Sequence, residues 1–382
     1  MPRGMAVEVE HWVGTWGAAP QLTEPGNLPP APGLAEHTLR QVVYVSIGGS
    51  RLRVRISNAY GNGPLSLRGA ELALSTSGHT IDAATARPVA FSGLPSVTVA
   101  AGATLISDPL DFELAPQTRL AVTLAFGSTP TDVTGHPGSR TTSYIAAGTA
   151  CAAASLPAPV EIEHWYYLTG IDVVADPASG AVVAIGDSLT DGRGSTTNGN
   201  DRWPDTLSRR LRANAATAGV AMLNQGLGGN AVLSGGLGPT AASRFQRDVL
   251  EQSGVRWIIV LHGVNDIGPT PSQAVAQNLI GAYRHFVAVA RERDLRIYGV
   301  PILPTGGSHY DSPEHQAARQ TVNAWIRSPG NFDALLELDA AVCDPETPTR
   351  LLPAYDSGDH LHLSAAGYRK MADAIDLELF AR

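Results

Sequence analysis

Four short motifs contain the residue types that attack on an ester carbonyl requires. In chain order they are Gly186-Asp187-Ser188-Leu189, Asn224 to Gly229, Gly263-Val264-Asn265-Asp266 and Asp359-His360-Leu361-His362. They supply a hydroxyl nucleophile, a base, a carboxylate that orients the base, and donors to a developing oxyanion. Each motif alone is weakly specific, but the ordered set predicts covalent catalysis by a serine.

Ser188 is the predicted nucleophile. It follows the apolar strand predicted for Ala181 to Ile185 through a Gly-Asp turn, which would place its hydroxyl at the end of a sheet. An isolated serine in such a turn would more simply cap the next helix, but the other three motifs favour the catalytic interpretation. The chain has no Gly-x-Ser-x-Gly sequence, so the nucleophile elbow of the standard α/β-hydrolases is disfavoured.

The second and third motifs are interpreted as oxyanion donors. Gly226 to Ala231 also fits the G-x-G-x-x-A pattern of dinucleotide-binding proteins. That pattern needs a helix that begins at the glycines, whereas Ser234 to Pro239 reads as continued loop. The glycines would instead let a backbone N–H approach the reacting centre. Asn265 either caps its loop or donates its side-chain amide to the oxyanion.

Asp359 and His362 are spaced so that one short turn presents both side chains. The carboxylate would fix the imidazole tautomer, and His362 would be the base. A metal site built from Asp359, His360 and His362 is the competing interpretation. It is disfavoured because the chain has no HExxH helix and no convincing further ligand pair. His360 is predicted to be a neighbour that shapes the pocket.

Length and composition predict a folded protein of two domains. The 382 residues exceed what one core usually supports, and 43% are hydrophobic while 16% are charged. The net charge of -8 and the scattered basic residues favour neither nucleic acid nor anionic lipid as a partner. Cys151 and Cys343 fit no metal spacing and are expected to be buried thiols, with a single bridge as the lesser alternative.

No segment has the roughly 18 to 20 apolar residues that span a bilayer. The stretch from Met1 to Glu10 lacks the apolar core of an export signal. The expectation is therefore a cytoplasmic protein as written, or a secreted one whose leader has been removed.

The first part of the chain is predicted to be rich in β structure. Gln41 to Ser46 and Leu52 to Ile56 alternate apolar and polar residues around Gly48-Gly49, which predicts a hairpin. Further strands are predicted at these places: Leu65 to Leu74, Ala103 to Ile106, Leu120 to Phe126 and His164 to Val174. Short strands separated by turn residues indicate an antiparallel sandwich or jelly roll. The composition of Ala175 to Gly180 is typical of a linker, so the predicted domains are 1–176 and 177–382.

After the linker, apolar strands alternate with helices, which predicts a parallel sheet with helices on both faces. The predicted strands are Ala181 to Ile185, Val220 to Leu223, Trp257 to Leu261, Ile297 to Ile302 and Leu335 to Leu338. The predicted helices are Pro204 to Ala213, Ala241 to Gln252, Ser272 to Arg293, Pro313 to Ile326 and Ala365 to Phe380. Active sites of such sheets lie at the carboxyl ends of the strands, where the first three motifs fall.

The four motifs resemble those of the SGNH hydrolases, also called the GDSL esterase and lipase superfamily. The resemblance covers roughly residues 181 to 382 and implies a flavodoxin-like, three-layer hydrolase domain without metal or organic cofactor. It implies that Ser188 is the nucleophile, with His362 and Asp359 as its partners. The oxyanion hole would be formed by the Ser188 and Gly229 amides and the Asn265 side chain.

The resemblance extends into the first part of the chain. The segments Trp12 to Trp16, Arg53 to Asn58 and Tyr355 to Asp359 are similar to a bacterial subgroup that includes acetylxylan-esterase-like members. In that subgroup a β-rich domain precedes the hydrolase.

The predicted function is hydrolysis of carboxylic esters of short acyl groups, with acetyl esters of carbohydrates as leading substrates. Two alternatives stay open: a carbohydrate-binding protein with an inactive hydrolase domain, and an acyltransferase that uses the same serine. The segments Gly135 to Gly138 and Gly306 to Tyr310 are interpreted as surface loops, although either would be able to wall the pocket.

Overall fold

The computed structural model describes residues 10–381. The expectation about an export signal rests mainly on residues 1–9 and therefore lies outside the described residues. Within residues 10–381, none of the helices is both long and apolar enough to cross a membrane. Cys151 and Cys343 are both free and partly exposed, so they are less buried than predicted and do not form the alternative disulfide.

The first part of the chain is β-rich, as predicted, and its strands pair antiparallel in three sheets. The first sheet has the order Trp12–Gly17, Leu168–Val174, Gly49–Ser57 and Leu110–Leu114, with Thr104–Ile106 also paired to Gly49–Ser57. In the second sheet the strands have the order Val160–Ile162, Ser143–Ala146, Thr38–Tyr44, Arg119–Phe126, Leu65–Ser77 and Thr80–Ile81. Two further strands of this sheet, Arg87–Val89 and Val97–Val99, also pair with Leu65–Ser77. The third consists of Trp165–Tyr166, Thr134–His136 and Gln21–Leu22. The sandwich or jelly-roll arrangement stays a prediction.

The predicted hairpin around Gly48-Gly49 is wrong. Thr38–Tyr44 pairs with Arg119–Phe126 and Ser143–Ala146, whereas Gly49–Ser57 belongs to a different sheet. The chain crosses between the sheets at Gly48, and a Cβ atom there would lie 2.9 Å from the backbone nitrogen of Pro116. The alternation of apolar and polar residues identified both strands, but it does not indicate which strands pair with each other.

The long strand predicted from His164 to Val174 is divided in two. Tyr167 adopts a left-handed backbone conformation with φ 60°, which ends Trp165–Tyr166 before Leu168–Val174 begins. The two pieces join different sheets. This break allows the Trp165–Tyr166 piece to pair with Thr134–His136, next to a loop that reaches the candidate site.

The second part of the chain contains a five-stranded parallel sheet. Its order is Val220–Gly226, Gly180–Gly186, Val255–Leu261, Arg296–Gly299 and Ala334–Leu335. All seven residues of the strand Gly180–Gly186 are buried, as expected for a strand with a neighbour on each side. The strand bounds agree with the prediction except that Val220–Gly226 extends three residues beyond the predicted Leu223 and the last two strands are shorter.

Three α-helices match the predicted ones closely, whereas the predicted helix Ala365 to Phe380 ends at Asp373 and the predicted helix Ala241 to Gln252 is α-helical only to Phe245. The longer α-helices are Trp203–Ala213, Gln273–Arg291, Pro313–Arg327 and Ala365–Asp373. The shorter ones are Ser188–Asp191, Ala241–Phe245, Val264–Ile267 and Leu338–Val342. A π-helical turn, Gln246–Leu250, continues Ala241–Phe245, and 3₁₀ turns occur at Pro25–Asn27, Ala83–Thr85 and Leu377–Phe380. The three-layer arrangement stays a prediction.

The two parts of the chain share one hydrophobic core. Hydrogen bonds also join them, because the Arg247 guanidinium donates to the Pro20 carbonyl and the Met222 amide donates to the Ser46 hydroxyl. The segment Ala175 to Ser179 connects Leu168–Val174 to Gly180–Gly186. The division at residues 176 and 177 stays a prediction, although the contacts show that the β-rich part packs directly on the parallel sheet.

Candidate active site

Ser188 begins a single helical turn at the end of the strand Gly180–Gly186. The Asp187 side chain caps this turn by accepting a hydrogen bond from the Leu189 amide at 3.0 Å. Glycine is required at position 186, just before this turn, because a Cβ atom there would lie 2.6 Å from the carbonyl oxygen of Leu261 on the neighbouring strand. The close approach lets the chain turn sharply and leaves Ser188 at the edge of the sheet.

His362 lies within hydrogen-bond distance of the serine. Its Nε2 is 2.8 Å from Ser188 Oγ, and its Nδ1 is 2.6 Å from Asp359 Oδ2. Asp359 Oδ1 also accepts hydrogen bonds from the backbone amides of Leu361 and His362. Because Nδ1–H donates its hydrogen bond to the carboxylate, Nε2 carries no proton and is the acceptor that faces the serine hydroxyl.

The electrostatics of this pair suit a base that is neutral at physiological pH. Burial lowers the pKa of His362 below its ordinary value, although the hydrogen bond and charge of Asp359 partly oppose this effect. Burial alone would raise the pKa of Asp359, but hydrogen bonds from the His362 amide and ring lower it to about 2. Asp359 is therefore ionised whenever His362 titrates.

Asn265 lies on the helical turn Val264–Ile267, which follows the next strand of the sheet. Its Nδ2 donates to the Asn230 carbonyl at 2.9 Å, and its Oδ1 accepts from the Tyr310 hydroxyl at 3.1 Å. These two contacts fix which way the amide faces. The second hydrogen of Nδ2 is left available for a ligand.

Gly229 lies in the loop that follows the strand Val220–Gly226 and has φ +67°. No helix begins at these glycines, which agrees with the rejection of the dinucleotide fingerprint. The Asp266 carboxylate accepts hydrogen bonds from the amides of Val232 and Leu233. This contact ties the Gly229 loop to the turn that carries Asn265.

A single cleft of about 420 Å³ brings the predicted residues together. Ser188, Gly229, Asn265 and His362 all line it. Asp359 lies behind the imidazole and is partly exposed, with 43% of its side chain accessible. The carboxyl ends of the parallel strands meet here because Gly186 is aligned with both Gly226 and Leu261.

His360 does not shape the cleft, so that prediction is wrong. Its Nδ1 lies 2.5 Å from Asp356 Oδ2, and 57% of the side chain is exposed. The left-handed backbone of His360, with φ 61°, turns the chain between Asp359 and His362. Among residues 10–381 there is no cluster of three His, Cys, Asp or Glu side chains arranged to hold a metal ion.

The two segments interpreted as surface loops both form walls of the cleft. Pro137 and Gly138 line one part, and His309 and Tyr310 line another. Surface-loop composition was therefore a misleading signal. Both segments reach the cleft through long-range packing, and the only sequence clue was their content of glycine and aromatic residues.

The β-rich part contributes directly to the cleft. Its lining residues are Gln21, Glu24, Asn27, Pro137, Gly138 and Arg140. His136 Nε2 lies 2.9 Å from Oδ1 of the buried Asp191, and a guanidinium nitrogen of Arg140 lies 3.5 Å from Asp191 Oδ2. Asp191 belongs to the same helical turn as Ser188, so this part of the chain supports the turn that carries the serine.

A second buried cluster lies beneath the serine turn. Burial raises the pKa of Asp187 to about 7 and that of Asp266 to about 6. Asp187 Oδ2 has no hydrogen-bond partner and lies 3.9 Å from Nδ1 of His262. Burial lowers the pKa of His262, whose Nδ1 accepts from the Gly263 amide. His262 is therefore a neutral imidazole that braces the turn before Asn265.

Residues 184–370 match the GDSL-like lipase/acylhydrolase family. The chain carries a GDSL-like lipase/acylhydrolase domain. The match includes Ser188, Gly229, Asn265, Asp359 and His362, and it confirms the resemblance to SGNH hydrolases. This acylhydrolase is therefore a carboxylic ester hydrolase, as predicted. No curated protein sequence matches the chain.

Several solved structures are similar to this acylhydrolase over about half of its length. A protein assigned to the G-D-S-L lipolytic family from Desulfitobacterium hafniense DCB-2 is 22% identical, covers 51% of this chain and 97% of its own, and has a TM-score of 0.41. An alpha/beta hydrolase enzyme from the metagenome of Lake Arreo, Spain, is 20% identical, with coverages of 52% and 93% and a TM-score of 0.40. An acetylxylan esterase from Geobacillus stearothermophilus is 21% identical, with coverages of 51% and 91% and a TM-score of 0.39. These values are low, so the assignment rests on the family match.

Proposed function

We propose that this acylhydrolase is a serine esterase that releases short acyl groups, acetyl above all, from carbohydrate esters through an acyl-enzyme. The observation that carries the proposal is the arrangement of Ser188, His362 and Asp359, joined by contacts of 2.8 and 2.6 Å, in a cleft that Asn265 also lines. A degenerate binding module would have no reason to keep this arrangement assembled.

In the first half-reaction, Ser188 Oγ forms a bond to the ester carbonyl carbon as His362 Nε2 takes the hydroxyl proton. The electron pair of the C=O double bond moves onto oxygen, where the Ser188 and Gly229 amides and Asn265 Nδ2 stabilise it. When this tetrahedral intermediate collapses, the carbonyl re-forms and the C–O bond to the alcohol breaks. The proton on His362 passes to the departing oxygen, and the acyl group stays on Ser188.

In the second half-reaction, water takes the place of the alcohol. His362 accepts a proton from the water as its oxygen attacks the acyl carbon, and then returns the proton to Ser188 Oγ as the carboxylic acid leaves. Asp359 keeps the imidazole in the required tautomer and stabilises its cationic form. The proposal routes no step through a metal ion or organic cofactor.

The lining of the cleft favours a small acyl group and a polar alcohol. Most of the side chains that face it are polar or charged, and its apolar side chains include Pro137, Leu237 and Leu361. A longer acyl chain gains about 0.8 kcal/mol only for each methylene group that it buries against apolar atoms, and few of the lining side chains are apolar. A hydroxyl-rich sugar finds hydrogen-bond partners there instead.

The proposal is tested by release of p-nitrophenol from acetyl, butyryl and octanoyl esters, with wild type and Ser188→Ala and with a chelator control. We expect chelator-insensitive release that falls with acyl length and that Ser188→Ala abolishes while the fold is retained. Loss of activity with chelator, or equal activity of Ser188→Ala, would overturn the serine mechanism. A fastest rate on the octanoyl ester would overturn the choice of short acyl groups.

A further inference from the structure

Arg193 is held beside both reacting residues. Its backbone amide donates to the Ser188 carbonyl at 3.0 Å, and its carbonyl accepts from the Tyr368 hydroxyl at 2.6 Å. The next residue, Gly194, packs against the carbonyl of Leu363, which directly follows His362 in the chain. The backbone of Arg193 is therefore anchored on the serine side and on the histidine side of the cleft.

The guanidinium of Arg193 is a cation with unused hydrogen-bond donors. The residue is exposed and lines the cleft, and its side chain makes no hydrogen bond or ion pair within residues 10–381. Several groups set the pKa of His362. Burial has the largest effect and lowers this pKa, and Asp359 opposes it; the positive charges of Arg193 and Arg140 come next, and both lower the pKa further. Arg193, Arg140 and His362 line the same cleft, so both guanidinium groups share it with the base.

Within residues 10–381, neither carboxylate that lines the cleft forms an ion pair with Arg193. Asp191 is engaged by His136 and Arg140, while Glu24 accepts hydrogen bonds from the side-chain amides of Gln21 and Asn27. Arg140 keeps a buried Nε without a partner. In the part of the chain that the structure describes, Arg193 is therefore the cleft guanidinium whose N–H donors are exposed and unused.

The position of these groups identifies the part of the substrate that they face. The imidazole returns its proton to the oxygen of the departing alcohol, so this alcohol lies on the His362 side of the scissile bond. We propose that Arg193, with Arg140 beside it, binds a carboxylate on the alcohol portion of the ester, as in the acetyl ester of an acidic sugar. A guanidinium matches the planar geometry of a carboxylate and offers it two parallel donors. This inference rests on the proposed esterase function.

The test uses two esters that differ in charge but little in shape, 4-acetoxybenzoate and 4-acetoxybenzamide. Each kcat/KM is divided by the rate of alkaline hydrolysis of the same ester, which removes the difference in leaving-group reactivity. We expect wild type to prefer the anionic ester by about fivefold, the range of an exposed ion pair with good geometry. Arg193→Gln should bring this ratio towards one, and added salt should lower the wild-type ratio.

Arg369→Gln is the matched control, because Arg369 is exposed on the helix Ala365–Asp373 and lies outside the cleft lining. It should leave the ratio as in wild type. A wild-type ratio of one or less, or an unchanged ratio in folded Arg193→Gln, would overturn the carboxylate site. If folded wild type hydrolyses neither ester, nor any of the p-nitrophenyl esters, the esterase function itself fails instead.

Discussion

The hydroxyl of Tyr310 donates a hydrogen bond to Oδ1 of Asn265 at 3.1 Å. On its other side, Asn265 Nδ2 donates to the Asn230 carbonyl at 2.9 Å. The amide is thereby held with Nδ2 towards the glycine loop. Burial raises the pKa of Tyr310, so the hydroxyl keeps its proton and stays a donor through the neutral range. We infer that Tyr310 positions Asn265, the oxyanion donor of the proposed mechanism, and it comes from a loop that sequence reasoning placed at the surface.

We predict that Tyr310→Phe lowers kcat by about fivefold with little change in KM, because one hydrogen bond of about 1 kcal/mol no longer orients the amide. In an Asn265→Ala background the same change should have almost no effect. Tyr298→Phe is the control, since it removes a hydroxyl that donates to the Leu379 carbonyl away from the cleft. Equal losses of kcat from Tyr310→Phe in both backgrounds would show that the residue does not act through Asn265.

The contact between His136 and Asp191 predicts that the β-rich part stabilises the serine turn. His136 Nδ1 lies 2.9 Å from the Ala19 carbonyl and Nε2 lies 2.9 Å from the carboxylate, so both ring nitrogens face acceptors. His136→Ala should lower the free energy of unfolding by about 3 kcal/mol, because it removes a partner of a buried carboxylate. Urea unfolding at neutral pH measures this change, and His285→Ala, at an exposed histidine of the helix Gln273–Arg291, is the control. A loss no larger than that of the control would contradict the predicted role.

The pKa of His362 predicts the acid limb of the activity profile. The base must be neutral to take the proton of Ser188, so kcat/KM rises as pH rises through the pKa of His362. Since burial lowers this pKa below 6.5, half of the plateau should be reached below pH 6.5. Arg193→Gln should move the midpoint upward, because the charge of Arg193 contributes to the lowering. A wild-type midpoint above pH 7, or a downward shift in the variant, would contradict this assignment.

The raised pKa of Asp187 predicts that the free energy of unfolding falls as pH rises. Burial raises its pKa from 3.8 to about 7, so the folded state favours the protonated carboxyl. Its stabilising contribution is complete below about pH 4 and is lost as pH rises to about 7. Asp187→Asn should therefore be more stable than wild type at pH 8 by roughly 2 kcal/mol, with a smaller advantage at pH 5. Denaturant unfolding at both pH values tests this, and a variant that is less stable than wild type at pH 8 would refute it.

The sequence predicted which residues come together around the cleft, because their signals are local. Ser188 and Asn265 directly follow apolar strands, and parallel strands bring their carboxyl ends together whatever the rest of the chain does. Asp359 and His362 lie in one turn, so their contact needs no distant residue. Tyr310 and His136 were missed as site residues because they reach the cleft through packing between segments far apart in the chain.

The errors in the fold prediction have the same origin. The alternation of apolar and polar residues identified Gly49–Ser57 as a strand. Its partners are Leu168–Val174 and Leu110–Leu114, and no local pattern indicates this pairing. The break at Tyr167 depends on a left-handed residue that is neither glycine nor asparagine, so composition carried no signal of it. Local patterns predicted which segments are strands, and tertiary packing decided how they pair.

The most direct test of the central claim is to identify the residue that is acylated. Wild type is treated with a fluorophosphonate, which reacts with activated serines, and the modified peptide is located by mass spectrometry. Ser188→Ala and a control variant, Ser195→Ala at a half-buried serine of the neighbouring loop, are treated in parallel. In wild type and in the control we expect one adduct, on Ser188, with loss of esterase activity. In Ser188→Ala we expect no adduct. An adduct on another residue that abolishes activity, or full esterase activity in Ser188→Ala, would contradict the central claim.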